Sequence, residues 1–439
     1  MKKQLWAGVL IVILFFFIFI FFVKYTENIN EVNVKNTNLN SSSIKSNEYV
    51  YPNEPSQKAI LYQKDKVNLW LFNLALAGII PFVFLFTGLS SSIRTYAGNH
   101  TKSIFIMIFI YFSIYSLINF ILSFPVEFYG GFFLKHFYGL SNQAFIKWFF
   151  DTIKGFLIGA IFSAFAVSVC FLIIRRFMKY WWLYLGLLTI PMLVFLTFIS
   201  PLYIDPIFNK YETIGNANLV SKINDELKIA NIQDCKVYKV NKSEDTNEMN
   251  AYMTGVFSSK RIVLWDTTIN NLSQSETLSV TAHEIGHYVM AHIWKAILLG
   301  GILNIIILFI INKTSLWVIS KSNGIWGFNS IRDIAAIPLL ILLINILVFI
   351  ITPGMNVYTR YTEQEADRFE LELTQDNKAA ATSILKLHEG SLILPSPGIV
   401  YKLWNYDHPT LQERLDFANT YSPWKEGKTL KYEKYIKIR

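Results

Sequence analysis

The feature that most restricts the fold of this chain is a set of long apolar runs. A bilayer core of about 30 Å takes about 20 consecutive apolar residues in a helix, whereas the buried elements of soluble domains need shorter runs. Seven runs approach or reach this length, at residues 5–23, 67–89, 104–124, 155–174, 180–199, 296–312 and 334–352. They predict a mainly α-helical membrane protein with seven transmembrane helices.

The first run is interpreted as a retained membrane anchor. Lys2 and Lys3 precede it, as basic residues do in a secretory signal sequence. Its apolar stretch is longer than such signals use, and residues 25–27 offer no small-residue cleavage site. A cleaved signal sequence remains the alternative.

Composition and charge favour a membrane over nucleic acid as the partner. Of the 439 residues, 53% are hydrophobic and 16% are charged, against roughly 25% charged residues in soluble domains. The basic residues behind the net charge of +9 are scattered over loops, as is usual beside membrane helices. We therefore expect a multi-pass protein of the cell membrane, with the lipid bilayer as a partner and no nucleic acid. The oligomeric state is not indicated.

A metal-binding motif follows the fifth run. Ser273 and Glu276 form a capping-box pattern, which predicts a helix that begins there and continues through His292. On this helix His283 and His287 are four residues apart, so both imidazoles project to one side. Glu284 projects about 100° away, where a carboxylate acts as a general base on water beside a metal. The alternative is a pair of surface histidines without a metal.

A third ligand is needed, because catalytic zinc sites use three protein ligands and leave one position open. Two cysteines are too few for a cysteine site, so the third ligand must be histidine or carboxylate. Glu363 and Asp367 are four residues apart just after the seventh run. The first would bind the metal and the second would fix the tautomer of a ligand histidine. A solvated acidic helix face is the alternative for this pair.

The order of these motifs resembles the type I CAAX prenyl proteases, which are integral-membrane zinc metalloendopeptidases of the gluzincin type. HEIGH at 283–287 is followed by two membrane runs and then by R-x-x-E-x-x-A-D at 360–367. Further similar stretches lie at residues 203–214, 250–269 and 407–415. The resemblance implies seven transmembrane helices around a chamber, a gluzincin-like domain with a small β-sheet, and one Zn²⁺ per chain.

The resemblance also implies roles for individual residues. His283, His287 and Glu363 would be the zinc ligands, with Asp367 behind a ligand histidine. Catalysis would use Glu284 as base and His408 as a hydrogen-bond donor to the oxyanion. The residues implied to bind the substrate are Asn250, Ala251, Tyr252 and Arg414.

The chain is predicted to have two parts. Residues 1–200 would form an N-terminal membrane domain with five transmembrane helices and a flexible polar loop at 24–66, which is rich in Asn, Ser and Lys. Residues 201–439 would form the metallopeptidase domain, including the transmembrane helices at about 296–312 and 334–352.

The predicted reaction is zinc-assisted hydrolysis of peptides or membrane-associated proteins, with or without an attached lipid. A site-2-type intramembrane protease is one alternative, but it places H-E-x-x-H inside a span and uses a later Asp-Gly pair, which this sequence lacks. A zinc transporter or other non-enzymatic zinc-binding membrane protein is the second alternative. Its ligands would lie within apolar runs, and these runs contain almost no ionisable residues.

Two arguments about membrane orientation conflict. Lysines and arginines of short loops orient membrane proteins with those loops in the cytoplasm. If the seven spans alternate, this rule places the metal motif outside, whereas the eukaryotic family members present it to the cytosol. We follow the charge rule, which rests on Lys2, Lys3, Arg94, Lys102, Arg175, Arg176, Lys179, Lys313, Lys321 and Arg332.

Overall fold

The computed structural model describes residue 14, residues 16–28 and residues 49–437, and most of these residues are helical. We number the first helical segment, residues 16–28, as α1. The remaining helices are α2 (Gln57–Phe86), α3 (Leu89–His100), α4 (Ile104–Glu127), α5 (Lys135–Phe137), α6 (Phe145–Arg176), α7 (Trp181–Ile199), α8 (Ala217–Ile229), α9 (Asp266–Asn271), α10 (Gln274–Val289), α11 (His292–Ser322), α12 (Ile337–Thr374), α13 (Asn377–Gly390), α14 (Ile399–Asn405) and α15 (Leu411–Thr420).

Six of the predicted membrane helices are confirmed. Within the described residues, the stretches long and apolar enough to cross a membrane are Gln57–Phe86, Ile104–Phe137, Phe145–Arg176, Trp181–Ile207, His292–Ser322 and Ile334–Thr374. Each contains nearly all of one predicted run and most extend beyond it, because helical hydrogen bonding continues into polar sequence. The first predicted run lies largely outside the described residues, although its end belongs to α1.

The polar loop predicted at 24–66 is shorter in the structure. Its residues 57–66 form the first turns of α2. Ser56 caps this helix, since its hydroxyl accepts the Ala59 N–H at 3.1 Å, and Tyr62 is buried. Residues 24–28 belong to α1, and 29–48 lie outside the described residues.

Two membrane helices approach closely where small residues face large ones. A Cβ atom added to Gly301 of α11 would lie 2.6 Å from Ile190 Cγ1, and one added to Gly186 of α7 would collide with Ile305 Cγ1. Small residues permit such backbone contact between helices in lipid. The pair is also joined by a buried hydrogen bond from Trp181 to Asn312, at 2.8 Å.

In the sequence, the strands of a four-stranded sheet fall between the membrane helices α7 and α11. Its strands are β1 (Tyr211–Thr213), β2 (Lys236–Val240), β3 (Ala251–Thr254) and β4 (Arg261–Trp265), in the order β1-β2-β4-β3. The β2–β4 pair is parallel, and the other two pairs are antiparallel. Thus β3 is an edge strand, and its second edge pairs with no strand of the described residues.

The sheet and the metal-motif helix share one hydrophobic core. Ile262 and Leu264 of β4 pack there with Ile285 of α10 and Phe369 of α12. Through this core α10 is held between the edge strand and the long helix α12. The predicted division of the chain at residues 200 and 201 stays a prediction.

Candidate metal centre

Helix α10 begins where the capping box predicts it. Ser273 accepts the Glu276 N–H at 3.3 Å, and the Glu276 carboxylate accepts the Ser273 N–H at 2.7 Å. The predicted extent of the helix is wrong at its other end, because α10 stops at Val289 and Ala291 has a φ of 55°. This left-handed residue turns the chain, so that His292 begins α11 instead of continuing α10.

The structure brings the two motif histidines and Glu363 together. His283 Nε2 lies 3.1 Å from His287 Nε2 and 3.2 Å from Glu363 Oε2. His287 Nε2 lies 3.4 Å from Glu363 Oε1. These three side chains can each offer a ligand atom to one metal ion.

The separations fit zinc. Two ligand atoms at about 2.1 Å from a tetrahedral zinc ion are about 3.4 Å apart, close to the three distances observed. The donor set of two imidazoles and one carboxylate is also one that catalytic zinc sites use. Gly286 permits the approach of the two helices, because a Cβ atom there would lie 3.0 Å from Phe369 Cδ1.

Asp367 lies on the side of His283 opposite to Glu363. Its Oδ1 atom is 2.9 Å from His283 Nδ1. An Nδ1–H that donates to this carboxylate leaves the lone pair on Nε2, which is the tautomer a metal ligand needs. Glu370 is a further carboxylate at 3.7 Å from the same nitrogen, and it accepts a hydrogen bond from Ser279.

His287 has a corresponding chain of contacts that the sequence did not reveal. Its Nδ1 lies 3.0 Å from His292 Nδ1, and His292 Nε2 lies 3.4 Å from Glu365 Oε2. Tyr432 donates a hydrogen bond to Glu365 at 2.9 Å. If His292 Nε2–H donates to Glu365 and His287 Nδ1–H donates to His292 Nδ1, the lone pair of His287 lies on Nε2. The helix ends before Ala291, and the turn there places His292 beside His287. Helical periodicity in the sequence does not predict this contact.

Glu284 and His283 line a cavity of about 410 Å³. The enclosed surroundings raise the pKa of Glu284 above its ordinary value, although the neighbouring imidazoles act in the opposite direction. A carboxyl group with a raised pKa is suited to accept and return a proton near neutral pH. Helix α10 is not among the candidate membrane spans of the described residues, unlike the motif of a site-2-type protease.

Of the four residues predicted to contact the substrate, three line the cavity and Tyr252 does not. Asn250 and Ala251 line the cavity, and Ala251 begins the edge strand β3. Tyr252, the next residue, alternates to the other face of the strand, where its hydroxyl lies 3.1 Å from that of Tyr211. Arg414 lines the cavity but directs its hydrogen bonds to Asp367.

His408 lies directly at the metal centre. Its Nε2 is 3.2 Å from Glu363 Oε2, and its Nδ1 is 2.8 Å from Asp407 Oδ1. The imidazole also lines the cavity. The Asp407 carboxylate holds the Nδ1 side of the ring, so that Nε2 faces Glu363 and the cavity.

Two family models match the chain. The model described as peptidase family M48 matches residues 214–422. The model described as the CAAX prenyl protease N-terminal region, with five membrane helices, matches residues 34–210.

Individual proteins are similar over most of the chain. The uncharacterized metalloprotease YhfN of Bacillus subtilis (strain 168) is 33% identical, over 95% of this chain and 97% of that protein. CAAX prenyl protease 1 homolog of Dictyostelium discoideum is 30% identical, over 66% of this chain and 68% of that protein. The crystal structure of S. mikatae Ste24p has a similar fold, with a TM-score of 0.75 at 20% identity, over 92% of this chain and 99% of that one. The chain therefore belongs to peptidase family M48 and is a multi-pass membrane metalloprotease.

Proposed function

We propose that the protein is a zinc-dependent endopeptidase of the CAAX prenyl protease type, with one Zn²⁺ per chain held by His283, His287 and Glu363. The observation that carries this proposal is the set of ligand-atom separations of 3.1, 3.2 and 3.4 Å, which matches the edges of a tetrahedral zinc site. The Asp367 contact supports it, because it leaves His283 Nε2 free to bind.

In the proposed reaction Glu284 moves the proton. Zinc, when bound, polarises the substrate carbonyl and makes water nucleophilic near neutral pH. Glu284 accepts one proton from the attacking water as the new C–O bond forms. It then gives this proton to the amide nitrogen as the C–N bond breaks, so that a carboxylic acid and an amine leave. His408 Nε2 donates a hydrogen bond to the carbonyl oxygen while negative charge develops there.

We propose that the substrate is an extended peptide segment, free or part of a membrane-associated protein. The unpaired edge of β3 supports this, since an extended backbone can add to it by main-chain hydrogen bonds. Asn250 and Ala251 lie in the cavity wall beside Glu284. The similar proteins named CAAX prenyl protease suggest a lipidated substrate, and we propose this class for the first substrate screen.

The experiment that tests the proposal is a comparison of the wild type with Glu284→Gln. Both proteins are purified in detergent, loaded with zinc and incubated with a library of fluorogenic peptides. We expect equal zinc content and a loss of about 100-fold or more in kcat for the variant, since the proton acceptor is removed. Glu433→Gln, an exposed carboxylate change, should keep wild-type turnover. Wild-type turnover in Glu284→Gln at full zinc content would exclude this mechanism.

A further inference from the structure

The short helix α14 ends against α12, where polar side chains of α12 bind its free carbonyls. The last four carbonyls of a helix have no partner within that helix and need one elsewhere. Arg360 of α12 donates from Nη1 to the Tyr406 carbonyl at 2.5 Å and to the Lys402 carbonyl at 3.4 Å. Asn356, one turn earlier on α12, donates to the Leu403 carbonyl at 3.1 Å. These hydrogen bonds fix the C-terminal end of α14 on α12.

Trp404 attaches the same helix to α12 at a second point. Its indole Nε1 donates to the Phe349 carbonyl at 2.9 Å, and the two rings stack with their centroids 5.1 Å apart. Pro353, four residues after Phe349, has no N–H and cannot bond that carbonyl within α12. The indole therefore pairs with a carbonyl that α12 itself leaves free, and this sets where α14 lies along α12.

His408 follows the anchored end of α14 by two residues. Its Nε2 reaches Glu363 Oε2 at 3.2 Å, although 46% of the His408 side chain is exposed. Asp407 binds the Nδ1 side of the ring, but 67% of the Asp407 side chain is exposed as well. Because side-chain packing does not fix this pair, the position of the imidazole depends on the backbone at Tyr406, which Arg360 binds.

Arg360 precedes Glu363 by three residues on α12, so the two lie on neighbouring turns of one helix. Helix α12 thus carries both the proposed third ligand and the group that binds the backbone before His408. A shift of α14 along α12 would change the distance from His408 to Glu363. The separations among His283, His287 and Glu363 would not change, because α10 and α12 supply all three residues.

We propose that Arg360 is a positioning residue for His408, and that it keeps His408 Nε2 where the substrate carbonyl oxygen becomes negative. The inference rests on the proposed peptidase function, in which His408 donates to that oxygen. Among the described residues, those that line the cavity do not include Arg360, so Arg360 acts through His408. A guanidinium suits this task, because it is a planar group with several N–H donors and can bind two carbonyls at once.

The test compares kcat and KM of zinc-loaded Arg360→Met, His408→Ala and the double variant on the best substrate of the fluorogenic peptide library. His408→Ala should lower kcat by about 100-fold or more, as the loss of an oxyanion donor does. Arg360→Met should lower kcat by about 10- to 100-fold and change KM little, because a misplaced donor weakens binding of the transition state alone. The double variant should match His408→Ala to within about 2-fold, since both changes remove the same interaction.

Two further variants control for charge and for the loss of a donor. Arg332→Met removes an exposed arginine that precedes α12 and should keep wild-type kcat and KM. Arg360→Lys keeps the charge and one donor group, and it should recover part of the kcat that Arg360→Met loses.

A binding measurement separates positioning from folding. A phosphinic peptide of the same sequence carries a negatively charged tetrahedral group that resembles the intermediate. Arg360→Met should bind it about 10- to 100-fold more weakly than the wild type does, in proportion to the loss in kcat. The uncleaved peptide should bind Glu284→Gln equally well with and without Arg360→Met. Zinc affinity, measured by competition with a chelator, should stay at the wild-type value in Arg360→Met.

Wild-type kcat in Arg360→Met at full zinc content would overturn the inference and leave the peptidase function intact. A double variant in which the two losses multiply would also overturn it, because Arg360 would then act independently of His408. Lower zinc affinity, or equally weak binding of the phosphinic and the uncleaved peptide, would show a general structural role instead. Wild-type turnover in His408→Ala would remove the oxyanion donor on which the inference rests. If no peptide is cleaved, the peptidase function is wrong and the inference with it.

Discussion

Arg414 donates two hydrogen bonds to the buried carboxylate of Asp367, from Nε at 3.0 Å and from Nη2 at 2.6 Å. The same carboxylate faces Nδ1 of His283, so α15 is joined to the metal centre through one aspartate. The substrate-binding role that the resemblance implies for Arg414 stays a prediction. The observed contacts show that Arg414 fixes the position of the Asp367 carboxylate and stabilises its negative charge.

Asp367→Asn should weaken zinc binding without removing any zinc ligand. An amide does not stabilise the Nδ1–H of His283 as a carboxylate does, and changes of this kind cost about 10- to 100-fold in metal affinity. The buried Arg414 would also lose its counter-charge, which costs about 3–5 kcal/mol. Zinc affinity is measured by competition with a chelator. The control is Asp416→Asn, an exposed residue of α15, and equal affinity in both variants would contradict the role of Asp367.

Glu363→Ala should lower the bound zinc well below one ion per chain, because only two protein ligands remain. Gln364→Ala changes the adjacent exposed residue of α12 and should leave the zinc content unchanged. Atomic absorption on the two purified variants provides the comparison. If they hold the same amount of zinc, the third ligand is not Glu363.

Gly301→Ala should destabilise the contact between α7 and α11. Its methyl group would lie 2.6 Å from Ile190 Cγ1, whereas the nearest atom to a Cβ on Gly300 is 4.0 Å away. Overpacking of this kind costs about 1–3 kcal/mol. The midpoint of thermal unfolding in detergent should therefore fall in Gly301→Ala and change little in Gly300→Ala. A similar midpoint for both would show that the contact is looser than described.

Glu276→Gln should lower stability in a pH-dependent way. Burial alone would raise the pKa of Glu276, but Lys386 and the Ser273 N–H hold it below its ordinary value of 4.5. A lowered folded-state pKa gives stability that is present above the unfolded pKa and is lost as the pH falls through the folded pKa. The difference in unfolding midpoint between wild type and variant should thus be full at pH 7 and shrink below about pH 4.5. A difference that stays constant with pH would contradict this.

The orientation of the protein is tested by labelling a single cysteine. Lys428 is exposed after α15, and Lys428→Cys is made in a chain in which Cys170 and Cys235 are replaced by serine. Under the charge rule a membrane-impermeant maleimide should modify intact cells. Modification only after lysis would place the metal centre in the cytosol, as in the eukaryotic proteins that the sequence resembles.

The parts of the structure that depend on local sequence were predictable. The apolar runs located six membrane helices. The H-E-x-x-H spacing and the family resemblance singled out His283, His287 and Glu363, which the structure brings together. The start of α2 was missed, because its polar first turns depend on a cap at Ser56 and on burial of Tyr62. The contact of His292 with His287 depends on a left-handed residue.

The C-terminal contribution to the metal centre is a tertiary effect that no local pattern reports. Glu372 of α12 accepts the backbone N–H groups of Lys431 and Tyr432, at 2.9 and 2.7 Å. This fixes the Tyr432 side chain beside Glu365. Such a contact joins residues about 60 positions apart, and only the folded chain brings them together.

One uninterrupted helix, α12, carries both the last membrane span and Glu363, the proposed third metal ligand. Helix α12 has 38 residues, which corresponds to about 57 Å, and Glu363 lies in its polar half. The lipid bilayer therefore contacts one end of α12, and the other end carries the carboxylate of Glu363, the proposed ligand. A thinner or thicker bilayer that tilts this helix will shift Glu363 relative to His283 and His287. Turnover should accordingly depend on the acyl-chain length of the surrounding lipid, which makes membrane thickness a variable of the enzyme's chemistry.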